Sequence, residues 1–432
     1  MSPINLYPHQ QKVLDDTREF NRTAHYLKMG LGKTFTGSEK LIQLNTDYNL
    51  LICQKSKIDD WIEHFKTHYD IPVIDFTKKG TTIQPGILII NYELCFRRPI
   101  LKSLTDFTLM LDESSMISHD TAKRTKFITK LKPTNVILLS GTPCGGRYEN
   151  LLSQCHLLGW NISKELFYSQ YIITENLYLP GKKFPVKKVV GYKNIDRLKE
   201  KLRSYGAVFM ETEEALELPA VVDQIIKVQT TKEYRKFSKD RIIEITLTGY
   251  AFKDDSDFDG KDVTPRVKLI GDTALTKMLY MRQLCGQYNP EKIAAYKDLL
   301  ESTDDRLIVF YNFTGELNQL KKITDRPISI INGETKDLTA YNNCDNSVTF
   351  VQYQAGGMGL NLQKSNQIVY YSPPHQWELY EQSKARIRRI GQEKTCFYYY
   401  LTCKNSIEEK IYDTLKLRKS FDQTLFEKEY FS

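Results

Sequence analysis

The residues with the clearest chemical potential form a short glycine-rich segment, Met29-Gly30-Leu31-Gly32-Lys33-Thr34. Glycines let backbone N–H groups approach phosphate oxygens, and a helix that follows adds the positive end of its dipole. Lys33 would neutralise the β- and γ-phosphates, and Thr34 would bind Mg²⁺. The general phosphate-loop pattern has a further glycine where Leu27 stands. Alone, the segment therefore predicts either a nucleotide site or an ordinary glycine turn.

Two further segments place acids and hydroxyls directly after apolar runs. Asp112 and Glu113 follow Leu109-Met110-Leu111. Asp112 could hold Mg²⁺ through water, and Glu113 could orient and deprotonate an attacking water. The hydroxyls of Ser140-Gly141-Thr142-Pro143 could sense the state of a phosphate. Alone, an acid pair is usually solvated and a Gly-Pro segment is usually a turn, but downstream of a phosphate loop the pair is typical of a magnesium site.

Two arginines far downstream could complete such a site. Arg386 and Arg389 lie three residues apart within Glu381–Gln392, so a helix would place them on one face. Arginines that reach a γ-phosphate from another lobe stabilise transition-state charge and couple hydrolysis to lobe closure. Taken alone, a basic helix is more often a solvated face. The four segments in this order favour nucleotide hydrolysis more strongly than any one of them does.

The elements that could position these residues are short apolar runs that alternate with helical patterns. This alternation is typical of parallel α/β sheets, and continuous apolarity indicates strands buried on both faces. A helix is predicted to open at Ser406, with Glu409 completing a capping box. The predicted strands are Leu50–Cys53, Ile87–Ile90, Leu109–Leu111, Val136–Leu139, Leu307–Phe310, Ile328–Ile331, Val348–Val351, Ile368–Tyr371 and Phe397–Tyr400.

The middle of the chain reads differently, because residues 156–275 are polar, mixed in charge and poor in buried-strand signals. We therefore predict an α/β protein with a parallel-sheet lobe over 1–155 and a largely helical insert and linker over 156–275. A second parallel-sheet lobe with a C-terminal helix follows over 276–432. The basic stretch from Lys182 to Arg203 predicts either a solvated helix surface or a surface that faces nucleic acid.

Composition limits the class of protein. Hydrophobic residues make up 41% and charged residues 26% of the 432 residues, as in soluble globular proteins. No apolar run approaches the roughly 18 residues that span a bilayer, and the N-terminus lacks a secretion-signal pattern, so a cytoplasmic protein is predicted. The eight cysteines lack zinc spacing and are expected to be reduced thiols. The net charge of +8 permits binding to a polyanion.

In their order and in their amino-acid sequences, these segments resemble the motifs of superfamily 2 helicase-type ATPases. The run Gly356–Leu362, followed by Arg386–Gln392, is similar to the Swi/Snf-like branch, and the overall form is similar to its short bacteriophage-type members. The resemblance covers nearly the whole chain apart from residues 156–275. Further matching segments are Leu6–Gln11 (the adenine-reading Q motif), Met29–Thr34, Leu51–Trp61, Asn91–Leu94, Asp112–Ser115, Ser140–Pro143, Val309–Thr314, Asn332–Thr335 and Ser406–Ile411.

The resemblance implies two RecA-like lobes that bind ATP and Mg²⁺ and move along nucleic acid, most often double-stranded or branched DNA, without contact with a membrane. The implied nucleotide contacts are Gln10, Met29, Gly30, Leu31, Gly32, Lys33, Thr34 and Gly359. The implied Mg²⁺ ligands are Thr34 and Asp112, and the implied catalytic residues are Lys33, Glu113, Arg386 and Arg389. The implied nucleic-acid contacts are Lys55, Ser56, Tyr92 and Thr314.

Two alternatives stay open, and departures from the family pattern bear on the second of them. Ser115 replaces the usual histidine that helps to link the nucleotide and nucleic-acid sites, and Ala385 and Arg388 replace the usual aspartate and histidine near the paired arginines. One alternative is a helicase that acts on RNA or on single strands. The other is a nucleic-acid-binding scaffold with a vestigial ATPase, against which the intact Lys33 and Glu113 argue.

The phosphate-loop interpretation makes a direct prediction for Lys33. Lys33→Ala should abolish ATP hydrolysis and leave the fold intact, because the lysine serves a phosphate cradle at the surface. Steady-state ATPase rates measure the first effect, and circular dichroism melting measures the second. Substantial DNA-stimulated turnover by the variant would overturn the assignment of this loop.

Overall fold

Each of the nine apolar runs that predict strands forms a strand in the computed structural model. The chain divides into two units, which we call the first lobe, Met1–Leu218 with Lys416–Ser432, and the second lobe, Pro219–Leu415. Each lobe contains a largely parallel sheet, so the predicted fold class of two parallel-sheet α/β lobes is confirmed. The structure describes residues 4–178, 184–246, 266–356, 360–374 and 376–426.

The strands of the first lobe precede those of the second along the chain. The first lobe holds β1 (Arg22–Leu27), β2 (Tyr48–Cys53), β3 (Val73–Asp75), β4 (Gly86–Asn91), β5 (Phe107–Asp112), β6 (Asn135–Ser140), β7 (Ile172–Leu177), β8 (Val186–Tyr192) and β9 (Ala207–Met210). The second holds β10 (Val221–Val228), β11 (Ile242–Thr246), β12 (Arg266–Ile270), β13 (Leu307–Tyr311), β14 (Ile328–Ile331), β15 (Lys336–Asp337), β16 (Val348–Gln352), β17 (Gln367–Tyr370) and β18 (Cys396–Cys403).

The helices follow the same division, except that the last one begins in the second lobe and continues into residues of the first. No helix in the described ranges has the length and apolar character needed to cross a bilayer. The first lobe holds α1 (Pro8–Asp16), α2 (Lys33–Leu44), α3 (Ile58–His68), α4 (Tyr92–Cys95), α5 (Lys123–Ile128), α6 (Leu152–Leu157), α7 (Lys164–Tyr171), α8 (Ile195–Ser204) and α9 (Thr212–Ala215). The remaining helices are α10 (Lys232–Asp240), α11 (Ala274–Cys285), α12 (Pro290–Glu301), α13 (Thr314–Lys322), α14 (Thr339–Asn343), α15 (Tyr353–Gly356), α16 (Trp377–Lys384) and α17 (Ile407–Phe426).

The first lobe is built on one parallel sheet. Among its described residues, seven strands pair in the order β3-β4-β2-β5-β6-β1-β9, and every pairing is parallel. Strands β2, β4, β5 and β6 are buried along nearly their whole length, which is why continuous apolar runs mark them in the sequence. In register, Tyr26 lies opposite Ser140, and Asp112 lies opposite Leu139.

The second lobe repeats this plan with a different edge. Its described strands pair in the order β10-β18-β17-β13-β16-β14-β15, and only the pairing of β14 with β15 is antiparallel. The apolar residues of β13 and β17 are buried throughout, so the core of this lobe lies on both faces of the sheet.

Strand β1 lies next to the phosphate loop, yet no continuous apolar run marks it. Thr23 and His25 interrupt its pattern, although both side chains are buried. Thr23 Oγ1 donates to Gly206 O at 2.8 Å, and His25 Nε2 lies 3.4 Å from Thr17 Oγ1. Burial and the nearby Lys40 lower the pKa of His25 to about 3, so its imidazole is neutral at pH 7. Internal hydrogen bonds thus let polar residues occupy a buried strand.

The structure differs from the largely helical prediction for residues 156–275. Besides helices, the described part of this segment supplies β9 to one edge of the first sheet and β10 to one edge of the second. Two antiparallel hairpins, β7–β8 and β11–β12, complete it. Strand β10 and the hairpin strands expose one or both faces, so they lack the continuous apolar runs that mark buried strands. Strand β9 does have such a run and is largely buried, so its signal is present in the sequence.

A buried ion pair joins α12 to the start of α17 in the second lobe. Lys292 Nζ donates to Glu408 Oε1 and Oε2 at 2.5 and 2.7 Å, and both side chains are buried. Burial is the largest influence and lowers the pKa of Lys292, but the Glu408 carboxylate with Cys403 and Cys285 together outweigh it, and the net pKa is raised. The thiols of Cys285 and Cys403 adjoin this carboxylate, which also accepts the Cys403 N–H at 3.1 Å. Like the other six cysteines, both are free thiols.

The ion pair makes a prediction about stability. Lys292→Met should lower the free energy of unfolding by about 3–5 kcal/mol, because it leaves Glu408 buried and unpaired. Lys297→Met on the same helix is the matched control: its ion pair with Glu301 is exposed and should contribute less than about 1 kcal/mol. Denaturant titration followed by circular dichroism measures both. Equal losses in the two variants would contradict a structural role for the buried pair.

Candidate nucleotide-binding site

Three chemically capable segments leave the same edge of the first sheet. Strand β1 leads into the phosphate loop, β5 ends at Asp112, and β6 leads into Gly141. Since β6 lies between β1 and β5 and is parallel to both, the carboxyl ends of all three strands are adjacent. This edge of an open α/β sheet is where ligands usually bind. The first lobe thus brings together the phosphate loop, the acid pair and the Ser-Gly-Thr-Pro segment.

The backbone of the phosphate loop needs glycine at two positions. Gly30 has φ 88° and Gly32 has φ 72°, both in the left-handed region that favours glycine. Leu31 between them is fully buried against apolar residues of α1 and β1, which anchors the loop. Helix α2 begins at Lys33, with Thr34 next on its first turn. The N–H groups of such a first turn have no partner within the helix and suit a phosphate.

The Lys33 side chain crosses the phosphate loop toward the Ser-Gly-Thr-Pro segment. Its Nζ donates to Leu27 O at 3.0 Å and lies 3.5 Å from Lys28 O. A Cβ on Gly141 would lie 3.2 Å from Lys33 Nζ and 3.0 Å from Met29 Cε. The absence of a side chain at Gly141 therefore leaves room for the lysine ammonium, and the two segments form one cradle.

Gln10, on α1, closes one side of the same loop. Its Oε1 accepts the Tyr7 N–H at 2.9 Å, and its Nε2 lies 3.5 Å from both Leu31 O and Gly32 O. These last two contacts are long for N–H···O hydrogen bonds. A Cβ on Gly32 would lie 2.1 Å from Gln10 Nε2, which is a second reason for glycine at that position. The side chain predicted to read adenine therefore lies directly against the phosphate loop.

Asp112, the predicted Mg²⁺ ligand, accepts a hydrogen bond from Trp61, a residue for which the sequence predicts no role. Trp61 Nε1 donates to Asp112 Oδ2 at 2.8 Å. Trp61 is buried on α3, where its ring stacks on Phe65 and meets His64 edge-on, each at 5.6 Å between ring centroids. A donor held by packing in this way orients a carboxylate for metal binding, as partners behind metal ligands do.

Glu113, the predicted acceptor of a proton from water, has an unusual backbone. Its φ of 55° and ψ of 60° are left-handed, which costs a non-glycine residue of the order of 1–3 kcal/mol and persists only where neighbours enforce it. Tyr92 is one such neighbour: its hydroxyl donates to Asp112 O at 2.9 Å and lies 3.4 Å from Glu113 O. Burial and the Asp112 carboxylate raise the pKa of Tyr92 well above its usual range, so it remains a donor.

This geometry corrects the prediction that Tyr92 contacts nucleic acid. The side chain is fully buried in the first lobe, and its hydroxyl faces the backbone of the acid pair. The motif resemblance places Tyr92 after a strand but cannot show which way its side chain turns. The structure therefore assigns Tyr92 to support of the acid pair.

Models of two protein families match adjacent parts of the chain. The SNF2-related domain matches residues 27–289, more than half of the chain, and the helicase conserved C-terminal domain matches residues 291–391. The chain belongs to the SNF2-related family.

Relatives of this SNF2-related chain are distant in sequence. YwqA of Bacillus subtilis (strain 168), whose name describes an ATP-dependent helicase/translocase, is 24% identical over 76% of this chain and 36% of YwqA. The SWI/SNF-related matrix-associated actin-dependent regulator of chromatin subfamily A member 1 of Mus musculus is 20% identical over 93% of this chain and 41% of the mouse protein. The chain thus spans less than half the length of these curated relatives. A solved Sulfolobus solfataricus SWI2/SNF2 ATPase core in complex with double-stranded DNA aligns over 97% of this chain and 92% of its own, with 18% identity and a TM-score of 0.44.

The paired arginines of the second lobe lie in turns and not in the predicted helix. Helix α16 ends at Lys384, so Arg386 and Arg389 lie in the turns that follow it and not on one helical face. At this point the Arg386 N–H bonds to Ser383 O, three residues back instead of four, and Arg386 O accepts the distant Leu362 N–H at 3.2 Å. The role of the two arginines as fingers toward a γ-phosphate stays a prediction.

Gln392 bonds these turns to the residues that follow the glycine-rich run Gly356–Leu362. Its Nε2 donates to Gln363 O at 3.0 Å and to Ser365 O at 2.9 Å. Gly391 has φ 90°, and a Cβ there would lie 2.9 Å from Gln363 Nε2. Gly359 itself lies outside the described residues, so its contact with nucleotide stays a prediction.

The other residues predicted to contact nucleic acid lie at exposed positions. Lys55 and Ser56 form an exposed turn after β2 in the first lobe, and Thr314 is the exposed first residue of α13 in the second. The basic stretch that begins at Lys182 lies partly outside the described residues, and its lysines on β8 are exposed. Lys199 of this stretch is instead buried, with Nζ 3.7 Å from the Asp196 carboxylate.

The contact between Trp61 and Asp112 makes a prediction about Mg²⁺. Trp61→Phe should raise the Mg²⁺ concentration for half-maximal ATPase activity by about 10-fold or more, because the carboxylate loses its orienting donor. Trp160→Phe, also buried in the first lobe but stacked on Tyr205 instead, is the matched control and should leave the Mg²⁺ dependence unchanged. Identical Mg²⁺ titrations for the two variants would show that Trp61 only fills space.

Proposed function

We propose that this SNF2-related chain is an ATP-dependent motor that moves along double-stranded DNA. The observation that carries the proposal is the meeting of the Lys33 cradle, the acid pair at Asp112 and the segment at Gly141 along one edge of the first sheet. ATP hydrolysis requires a phosphate cradle, a carboxylate that holds the metal and a carboxylate that acts on water. The segment at Gly141 is in contact with the cradle and completes this arrangement.

The residues at this edge fit ATP and Mg²⁺. At Gly32 and at Gly141 a single Cβ would crowd a neighbouring side chain, so the cradle is kept open by glycine. Lys33 and the start of α2 suit phosphate oxygens, and Thr34 and Asp112 supply the oxygen ligands that Mg²⁺ prefers. When bound, Mg²⁺ neutralises charge on the phosphates during transfer.

The proposed division of labour follows from where each side chain lies. Glu113 accepts a proton from the attacking water, and Trp61 and Tyr92 hold the acid pair in place. The amide of Gln10 reads adenine, since its long contacts with the phosphate loop can give way to stronger hydrogen bonds. Arg386 is proposed, with Arg389, to stabilise the transition-state charge.

Three lines of support favour duplex DNA as the track. The amino-acid sequences of Gly356–Leu362 and Arg386–Gln392 resemble the corresponding motifs of motors that follow duplex DNA. The names of the relatives describe a helicase/translocase and a regulator of chromatin. Exposed groups at Lys55, Ser56 and Thr314 suit a sugar-phosphate backbone, and contacts of this kind are sequence-tolerant and salt-sensitive.

Four finer points rest on sequence alone. An RNA or single-strand track is the alternative within the same enzyme class. Membership of the short bacteriophage-type group and residence in the cytoplasm are carried by the sequence resemblance and the composition, respectively. We expect tracking along a duplex, or remodelling of branched DNA and of bound protein, with little strand separation.

A pair of displacement assays tests the proposed motor. With ATP, the wild-type protein should displace the third strand of a triplex, because a motor that tracks a duplex pushes off whatever lies in the groove. It should open a forked duplex poorly, since unwinding must overcome stacking of roughly 1.4 kcal/mol per base-pair step. Arg386→Ala and Arg389→Ala should lose displacement together with hydrolysis.

The outcomes of these assays separate the alternatives. Glu113→Gln, which should bind ATP without hydrolysing it, is the control for displacement by binding alone. Strong fork opening without triplex displacement would contradict the duplex translocase and favour a strand-separating helicase. Displacement by Glu113→Gln as fast as by the wild type would contradict an ATP-driven motor.

A further inference from the structure

We infer that Gln154 is a positioning residue that holds the acid pair in place by joining Ser114 to Pro143 in the turn after β6. The inference rests on the proposed ATPase, which it deepens. Gln154 lies on α6 and is fully buried in the first lobe, and no motif in the sequence analysis includes it. Its amide nevertheless bonds to Pro143 of the Ser-Gly-Thr-Pro segment, to Ser114 directly after the acid pair and to Tyr26 on the strand before the phosphate loop.

The contacts of Gln154 join residues that are far apart in sequence. Its Oε1 accepts the Ser114 hydroxyl at 2.8 Å, directly after the acid pair. The same oxygen accepts the Tyr26 hydroxyl at 3.0 Å, on the strand that leads into the phosphate loop. Its Nε2 donates to Pro143 O at 2.8 Å, at the end of the Ser-Gly-Thr-Pro segment. One side chain thus links β1, the acid pair and the turn after β6.

The chemistry of an amide makes this arrangement specific. Two hydroxyls fill the two acceptor positions of the Gln154 oxygen, and the Pro143 carbonyl needs a donor. Reversing the amide would place oxygen against the Pro143 carbonyl oxygen, so the observed orientation satisfies all three partners. An apolar side chain would leave buried polar groups unpaired, at about 1–3 kcal/mol each.

The link to Ser114 matters because of the strain next to it. Glu113 is held in a left-handed conformation, and the residues on either side must enforce it. Tyr92 fixes the backbone at Asp112 and Glu113 from one direction, and Gln154 fixes Ser114 from another. Without the second support, Glu113 can relax toward ordinary backbone angles and its carboxylate moves away from the attacking water.

Three substitutions separate this role from simple packing. Ser114→Ala removes the link to the acid pair, Gln154→Met removes all three links, and Tyr26→Phe removes only the link to β1. We expect kcat with saturating duplex DNA to fall about 10-fold to 100-fold in the first two, because small misplacements of catalytic groups have effects of this size. KM for ATP should change little, because Lys33 and its loop are untouched.

The controls are Tyr26→Phe and Ser114→Thr. Tyr26→Phe should keep kcat near the wild-type value, since the oxygen of Gln154 still accepts Ser114. Ser114→Thr keeps a hydroxyl at the same position and should rescue turnover. Packing alone would instead lower thermal stability in every variant without separating kcat from KM.

Amide hydrogen exchange over residues 111–118 gives a readout that needs no turnover. Exchange should be faster in Ser114→Ala and Gln154→Met and unchanged in Tyr26→Phe. This expectation does not depend on DNA: a wild-type protein that shows no stimulation by DNA would contradict the proposed function and not the role of Gln154. If Gln154→Met fails to fold, the comparison of Ser114→Ala with Tyr26→Phe still decides. Wild-type kcat and wild-type exchange in Ser114→Ala would overturn the inference, as would equal losses in Ser114→Ala and Tyr26→Phe.

Discussion

The parallel pairing of β1, β6 and β5 is the constraint on which the nucleotide site depends. Lys33, Asp112 and Gly141 are distant in sequence, and they meet because the strands before them lie side by side and end at one edge. A slip of one residue in this pairing would turn every side chain of a strand to the opposite face. Alternate residues of the central strands pack into two different core clusters, so a slip would exchange their side chains between the clusters, and packing of the hydrophobic core therefore also determines the geometry of the site.

The polar groups beneath this edge follow from the same constraint. Trp61, Tyr92 and Gln154 are buried side chains whose polar atoms are directed at the acid pair or at the residue that follows it. In a buried setting each such bond is strong when made and costly when lost. A network of this kind can hold the strained backbone at Glu113, which local sequence preference would not adopt.

Local patterns predict a large part of this architecture. Continuous apolar runs predict nine of the strands, and the glycine spacing before Lys33 predicts the phosphate loop at the start of α2. Contacts between distant residues escape such patterns: Trp61 and Gln154 are ordinary core residues until the fold brings them to Asp112 and Ser114. The helix predicted at Arg386 is wrong for the same reason, since the Arg386 carbonyl bonds to the distant Leu362 N–H and not to a residue further along the same helix. The two hairpins and β10 are missed because exposure removes their apolar signal, whereas β9 has an apolar run that the polar character of the surrounding segment outweighs.

The most direct test of the central claim is the ATPase rate without polymer and with duplex DNA, single-stranded DNA or RNA. The proposed motor predicts that duplex DNA stimulates hydrolysis most, that added salt weakens the stimulation because phosphate contacts dominate binding, and that Glu113→Gln shows only background turnover. Hydrolysis stimulated only by RNA or by single strands would contradict the duplex track. A complete lack of hydrolysis, with nucleic-acid binding retained, would contradict the motor and leave a binding scaffold.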